Sequence, residues 1–223
     1  MPKVSEEYIA NKRKEIVDAA FRVCARKPIN SVEMKDIIEE ANYSHGVIYR
    51  YYKDLDEVLT DLVITINENN KIDDRLDEII KKASLDKWEK TIYDICQMQA
   101  DYMKEVGTDL LKVSIYCDMM AMTDPERAMR IARNLGKEEQ SPLLYATVAT
   151  EKFLNDVIKH NKLKPKSSVD EIIQFMIVTY HGVQTGFVLS DCFQVPHIEG
   201  KYKPDNMFRE LAKSVIMMMG GEV

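Results

Sequence analysis

Glycine and proline are scarce, 8 and 7 among 223 residues, and long runs contain neither. Scarcity of the two strongest chain breakers argues against a turn-dense β architecture and favours helix. Cys24, Cys96, Cys117 and Cys192 stand far apart with no CxxC pair, and the 4 histidines fall at no metal-ligand spacing. A disulfide scaffold and a zinc site are thereby excluded, and reduced core cysteines are expected. No apolar stretch approaches the length of a membrane span, and the charged N-terminus lacks a signal-peptide core. A soluble cytoplasmic protein without membrane contact is expected. Nucleophile–base pairs and paired carboxylates at diagnostic spacing are also missing, so neither catalysis nor a cofactor or metal is expected. His160 follows Asp156 by four residues on one helix face, a pair that reads as solvated. No strand pattern, repeat or low-complexity tract stands out.

Charge is what the chain has, and it is uneven. The net charge is −6. Residues 1–53 carry ten basic and eight acidic side chains, so the head is +2 and residues 54–223 are −8. A mildly basic head on an acidic body fits local phosphate contact better than a non-specific nucleic-acid coat.

Apolar residues recur at helical spacing almost throughout. A first helix is expected from Ser5 to Lys27, with Ile9, Arg13, Ile16, Ala20, Val23 and Cys24 on one side and Pro28 as its stop. Asn30 with Glu33 reads as a capping box for a second helix whose buried face is Val32, Ile37, Ile38 and Ala41. Asn42-Tyr43 breaks the pattern, and Ser44 is placed to cap a short third helix. Ile48 and Tyr52 would face inward there, leaving His45, Gly46, Val47, Tyr49 and Arg50 outward. Two helices joined by so tight a turn, the second rich in aromatic hydroxyls and basic groups, have the layout of a helix-turn-helix.

Asp54 would cap a long fourth helix carrying Leu55, Leu59, Leu62 and Ile66, interrupted by Asn69, Asn70 and Asp73 and resumed by Leu76, Ile80 and Ala83. Asp86 would cap a fifth, ending near Gly107, and Leu110 to Met122 forms another. Asp124-Pro125 reads as an N-cap with proline at the first position of a helix ended by Asn134-Leu135-Gly136. Ser141-Pro142 opens a helix to about His160, and Lys162 to Lys166 is a basic linker. Ser168 to Glu171 is a capping box for a helix apolar nearly all round, which must be covered on every side. Pro196 to Pro204 is expected as a loop before a last helix, Asp205 to Met219.

Three short helices, a linking helix and an all-helical body resemble the TetR family of one-component regulators. The resemblance is specific over Arg13 to Leu62. Arg13-Lys14-Glu15-Ile16-Val17-Asp18-Ala19-Ala20 is similar to the family's first-helix pattern, Tyr43 to Lys53 to its recognition segment, and Asp56-Glu57-Val58-Leu59 to the start of its fourth helix. Asn42 stands where glycine is usual, Val47 replaces a small hydroxyl residue, and Leu55 replaces a lysine. The resemblance implies an all-α fold with a helix-turn-helix DNA-binding domain at 1–54 and a helical effector-binding and dimerisation domain at 55–223. It implies a repressor released by a small, largely apolar effector, acting as a homodimer on a palindromic operator in double-stranded DNA. Ser44, Tyr49 and Lys53 are then expected on phosphates, His45, Val47 and Arg50 on base edges, and Gly46 and Arg13 at the same DNA-binding surface. A helical adaptor that binds a protein and no longer reads DNA is the alternative.

The dimer contact implied by the resemblance falls on Ser168–Phe193 and Asp205–Met219. Gly182 and Gly186, four apart, would admit a close partner helix or accommodate local packing. For the effector, the expected frame is Gln99, Tyr102, Met103, Tyr116, Tyr180, His181 and Gln184. Met98, Met103, Met119, Met120 and Met122 would suit an adaptable apolar cavity, and the polar residues would need partners if buried.

Overall fold

The computed structural model describes residues 5–69, 72–135, 142–193 and 202–222. Ten α-helices and two short 3₁₀ turns make up the described residues, with no strand among them. They are α1 (Glu6–Cys24), α2 (Met34–Glu40), α3 (His45–Ile48), α4 (Leu55–Asn69), α5 (Ile72–Lys81), α6 (Trp88–Thr123), α7 (Pro125–Asn134), α8 (Pro142–Asn161), α9 (Val169–Phe193) and α10 (Pro204–Met218). The all-helical expectation holds. The expected helix ends at Gly136 and Ser141, Asn70 on the fourth-helix stripe and most of the Pro196–Pro204 loop lie outside the described residues.

Capping explains where the helices begin and corrects three expectations. Ser5 caps α1, its hydroxyl accepting from Tyr8 N at 3.2 Å. Asn30 does not cap α2, because it falls in a 3₁₀ turn after Pro28, Ile29–Ser31, and its amide donates to Thr123. The capping box moves three residues along: Asp36 accepts from Glu33 N at 2.7 Å. Asp86 likewise sits within a 3₁₀ turn, and its carboxylate pairs with His160 Nε2 at 2.9 Å. His160 is therefore paired across the fold rather than with Asp156. Three other caps are as expected, Asp54 accepting from Glu57 N, Asp124 from Arg127 N, and Ser168 exchanging bonds with Glu171, whereas Ser44 makes no side-chain capping bond. The fifth helix ends near Gly107 as expected: with φ 74° and ψ 169° that residue is not helical, and α6 is two helices meeting at this break. Glycine occupies that left-handed conformation without the steric cost a Cβ would bring.

The chain forms two compact units, Met1–Asn69 with Lys112–Glu139, and Asn70–Leu111 with Gln140–Val223. In the first, α1 packs on α2 and α4, and α7 packs on α4. Its core is a continuous cluster including Ile16, Ala20, Ile37, Ile48, Tyr52, Val58 and Leu62. Asp56, at the start of α4, binds Arg127 Nε at 2.7 Å and Arg130 Nε at 3.3 Å on α7. In the second unit, α8 packs on α5 and α9, and α9 on α10.

The apolar length of α9 exceeds the sequence expectation, since Val169–Cys192 is long and apolar enough to cross a membrane, with mean hydropathy 1.3. The reason lies in two apolar sides on one helix. Ile172, Met176, Val183 and Val188 are buried within the unit, while Phe175, Val178 and Leu189 face outward. Cysteine placement differs too. Cys24 and Cys96 are buried and Cys117 half-buried, but Cys192 is exposed. Burial pushes the Cys24 thiol up to about 11 and those of Cys96 and Cys117 up to about 12, which leaves little thiolate for chemistry.

Candidate nucleic-acid interface

The presented segment is built by a left-handed turn and two buried anchors. Asn42 adopts φ 54°, the conformation glycine usually supplies and asparagine tolerates. Tyr43 N then donates to Ile38 O at 3.1 Å, closing α2. Helix α3 is a single turn, and Tyr49 to Tyr51 continue it as turn structure. So short an element has no helical stability of its own. Its geometry comes from Ile48 and Tyr52, both fully enclosed.

Those anchors turn the remaining side chains outward. His45, Gly46, Arg50 and Lys53 are exposed, and Tyr49 is 52% exposed. The rings of His45 and Tyr49 stack, with centroids 6.5 Å apart and planes 18° from parallel. Ser44 is exposed and makes no side-chain capping bond, so its hydroxyl is uncommitted. Around Gly46 a Cβ would meet nothing within 4 Å, which leaves open space for a backbone to approach. Val47 is half-buried at the edge of this surface.

Arg13 sits elsewhere. Its Nη2 and Nε bind Asp61 Oδ2 at 2.8 and 3.1 Å, its Nη1 donates to Tyr51 O at 3.0 Å, and its guanidinium lies 4.4 Å from the Tyr52 ring centroid. Tyr52 donates to the same carboxylate oxygen at 2.7 Å. Burial first, and then Asp61, push the Tyr52 phenol far above its ordinary range. Arg13 is thus committed to holding the end of the recognition segment, a role different from the expected DNA contact.

Two groups of residues escaped the sequence reading. Lys12 Nζ donates to Glu15 at 2.8 Å and to the Tyr43 hydroxyl at 2.7 Å, and Tyr43 in turn donates to Glu15. Those bonds tie the turn back to α1; Lys12 and Glu15 at i, i+3 were the available signal. Asp61 was the second omission, and its signal was an acid set between the apolar Leu59 and Leu62 of α4.

The expected effector residues divide between the two units. Gln99, Tyr102, Met103, Tyr180, His181 and Gln184 fall in the second, whereas Tyr116 belongs to the first and packs against its core. Met103 is fully buried and Tyr102 nearly so. The Tyr180 ring meets His181 edge-on at 5.7 Å and lies 6.2 Å from Phe208. Gln184, 1% exposed, donates from Nε2 to Leu111 O at 3.3 Å. The oxygen Oε1 of Gln99 is buried without a partner. Of the methionines, Met98 is buried in the second unit and Met120 in the first, but Met119 and Met122 face solvent, Met122 at 75%. Asn69 is exposed and bonds Thr65 O.

Gly182 and Gly186 also separate. A Cβ on Gly186 would lie 2.4 Å from the Tyr202 ring, so this glycine accommodates its own chain, while one on Gly182 would meet nothing within 4 Å.

A buried-anchor turn presenting polar and aromatic side chains defines a helix-turn-helix protein with an all-helical body. Residues 16–62 match the family described as bacterial regulatory proteins, tetR family. Over this segment the chain is similar to the TetR family. It is 26% identical over 126 residues to the uncharacterized HTH-type transcriptional regulator YfiR of Bacillus subtilis (strain 168), a match spanning 56% of this chain and 59% of that protein. The fold is shared with the fatty acid degradation regulator FadR from Bacillus halodurans, at TM-score 0.67 and 16% identity over 99% of this chain and 100% of that one. It is also shared with FadR from Bacillus subtilis in complex with stearoyl-CoA, at TM-score 0.59 and 17% identity over 94% and 99%.

Proposed function

We propose that the protein is a cytoplasmic transcriptional repressor that binds a palindromic operator as a homodimer and is released by a small, largely apolar effector. The observation that carries this reading is the outward face of the segment 44–53, held by Ile48 and Tyr52. Phosphates would be taken by Ser44, Tyr49 and Lys53, fixing register, and base edges by His45, Val47 and Arg50. The exposed Arg50 side chain has no hydrogen bond or ion pair among the described residues, so its fork is available for guanine O6 and N7. Gly46 lets the backbone come close. Arg13 positions this surface through Tyr51, Tyr52 and Asp61 rather than touching DNA.

A single head contacts too little DNA for tight, specific binding, which favours two heads on two half-sites. The outward stripe of α9, Phe175, Val178, Gly182 and Leu189, supports dimerisation through that helix. Domain assignment follows function: 1–54 reads DNA, and 55–223 binds effector and pairs the protomers. The stearoyl-CoA bound to a protein of the same fold supports an effector with a large apolar part, as do Met98 and Met103 on α6. The effector would act by binding two pre-existing spacings of the heads with different affinity.

Selection from random duplex DNA with the purified protein at modest salt tests the reading. An enriched palindrome is expected. Failure to enrich any sequence at low salt, with a folded dimer confirmed, would leave the adaptor as the better account.

A further inference from the structure

Both ends of the helix-turn-helix are held by one corner of the chain, the junction of α6 and α7. Ahead of α2, Asn30 Nδ2 donates to the Thr123 hydroxyl, which donates in turn to Met119 O at 2.7 Å. Beyond the recognition segment, Asp56 takes Arg127 Nε on one carboxylate oxygen at 2.7 Å and Arg130 Nε on the other at 3.3 Å. Only four residues separate Thr123 from Arg127, and the start of α7 between them is capped by Asp124, which accepts from Arg127 N at 3.1 Å. Met120 and Ile131 seat this corner in the same buried cluster as Ile48 and Tyr52. All of these residues belong to the first compact unit.

The two attachments differ in strength. Asn30 and Thr123 are exposed, where a neutral hydrogen bond competes with water. The Arg127 side chain is 14% exposed and that of Asp56 23%, so their charges are screened less than those of a surface pair. Asp56 also stands in the turn that receives the recognition segment. Its neighbour Glu57 accepts from Lys53 N at 2.7 Å, and Asp54 accepts from Glu57 N at 3.0 Å. The orientation of that turn therefore sets where Lys53 and the backbone before it lie.

We propose that Arg127 is a positioning residue for DNA recognition: through Asp56 it fixes the first turn of α4, and with it the seat of Lys53 and the segment 44–53. It does this without touching DNA. The proposal rests on the reading of 44–53 as the DNA-binding surface, and it adds α7, remote in sequence, to the machinery that holds that surface. Base-edge contacts need close register, whereas non-specific binding needs only positive charge near phosphates. Loss of Arg127 therefore weakens the operator complex and spares binding to unrelated duplex. Loss of a phosphate contact weakens both and lowers the salt dependence.

Fluorescence anisotropy at several salt concentrations tests this, with the palindrome selected by the parent protein and a shuffled duplex of equal length. Arg127→Met keeps an unbranched stem in place and removes the guanidinium. It should lose about tenfold or more in affinity for the palindrome, the scale of one mis-seated base pair. Affinity for the shuffled duplex and the slope of log affinity against log salt should stay as in the parent. Arg127→Lys, which keeps a cation for Asp56, should recover part of the loss. If Arg127→Met does not fold, Asp56→Asn, which keeps the shape of the carboxylate, should show the same split between the two duplexes. Thermal unfolding is followed for each variant in parallel. A lower thermal midpoint with an unchanged ratio of the two affinities would make Arg127 a stabilising residue only. Equal losses on both duplexes, with a slope shallower by about one, would make it a phosphate contact. Either result overturns the proposal and leaves the DNA-binding surface standing. If the parent protein selects no palindrome, the DNA-binding reading falls, and this proposal with it.

Discussion

The Tyr52 hydroxyl and the Arg13 guanidinium meet on one atom, Asp61 Oδ2, at 2.7 and 2.8 Å. Three elements converge there: α1 through Arg13, the end of the recognition segment through Tyr52, and α4 through Asp61. Because Arg13 also holds the Tyr51 carbonyl, the backbone leaving the outward-facing turn is fixed from both sides. Tyr52→Phe removes one neutral donor and should cost about 1 kcal/mol in urea unfolding. Asp61→Ala should cost more, about 2–3 kcal/mol, since it strands a guanidinium and a phenol together. Equal losses for the two variants would mean that the shared carboxylate is not the organising group.

Tyr49 and Arg50 are adjacent but should fail differently. Tyr49→Phe removes a phosphate donor, so affinity should fall for every sequence alike. Arg50→Ala should relax preference at one position in each half-site, at about 1–3 kcal/mol for that base pair. Competitive binding to a panel of single-base operator variants separates the two patterns. An unchanged preference after Arg50→Ala would remove Arg50 from the base readers.

How much of this was legible in the sequence follows from the range of each interaction. Ile48 and Tyr52 are four apart, and their burial could be read from helical spacing alone. Asn42 in a tight turn, and the caps at Asp54, Asp124 and Ser168, are local and were equally legible. The family pattern places Arg13 at the DNA surface, while its partner Asp61 lies 48 residues away with no periodic signal. Asn30 and Asp86 looked like caps, yet each lies in a 3₁₀ turn and bonds a distant residue instead. Apolar periodicity marks a buried face without saying which neighbours cover it, so Tyr116 was grouped with residues of the other compact unit. The two sides of α9 were seen as apolar, but only the fold distinguishes the covered side from the open one.

Asp73 makes the stability of the body pH-dependent. Its Oδ1 is buried without a partner, and burial first, then Asp74 and Asp77, raise its carboxyl above the ordinary value of 3.8. With the folded pKa above the unfolded one, the folded state holds the proton more tightly. The penalty for ionised Asp73 is therefore absent below the unfolded pKa and grows as pH rises through the folded one. Asp73→Asn should raise the thermal midpoint at pH 7 and bring no gain near pH 3. A gain of equal size at both values would assign the effect to packing rather than charge.

The glycines of α9 give opposite signs for one chemical change. Within one protomer Gly182→Ala adds a methyl that meets nothing and gains helix propensity, about 0.5–1 kcal/mol. Gly186→Ala gains the same propensity but drives a Cβ into the Tyr202 ring, so its thermal midpoint should stay level or fall. Beside Gly182 on the outward side stands Val178, 70% exposed. If a second copy covers this stripe, Val178→Asp places an unpaired carboxylate in the contact, where burying it costs several kcal/mol. Light scattering after size exclusion should then show a folded monomer for Val178→Asp and a dimer for the parent, with operator affinity lost alongside. A Val178→Asp protein that stays dimeric would move the contact off this face of α9, whatever the two glycine variants do.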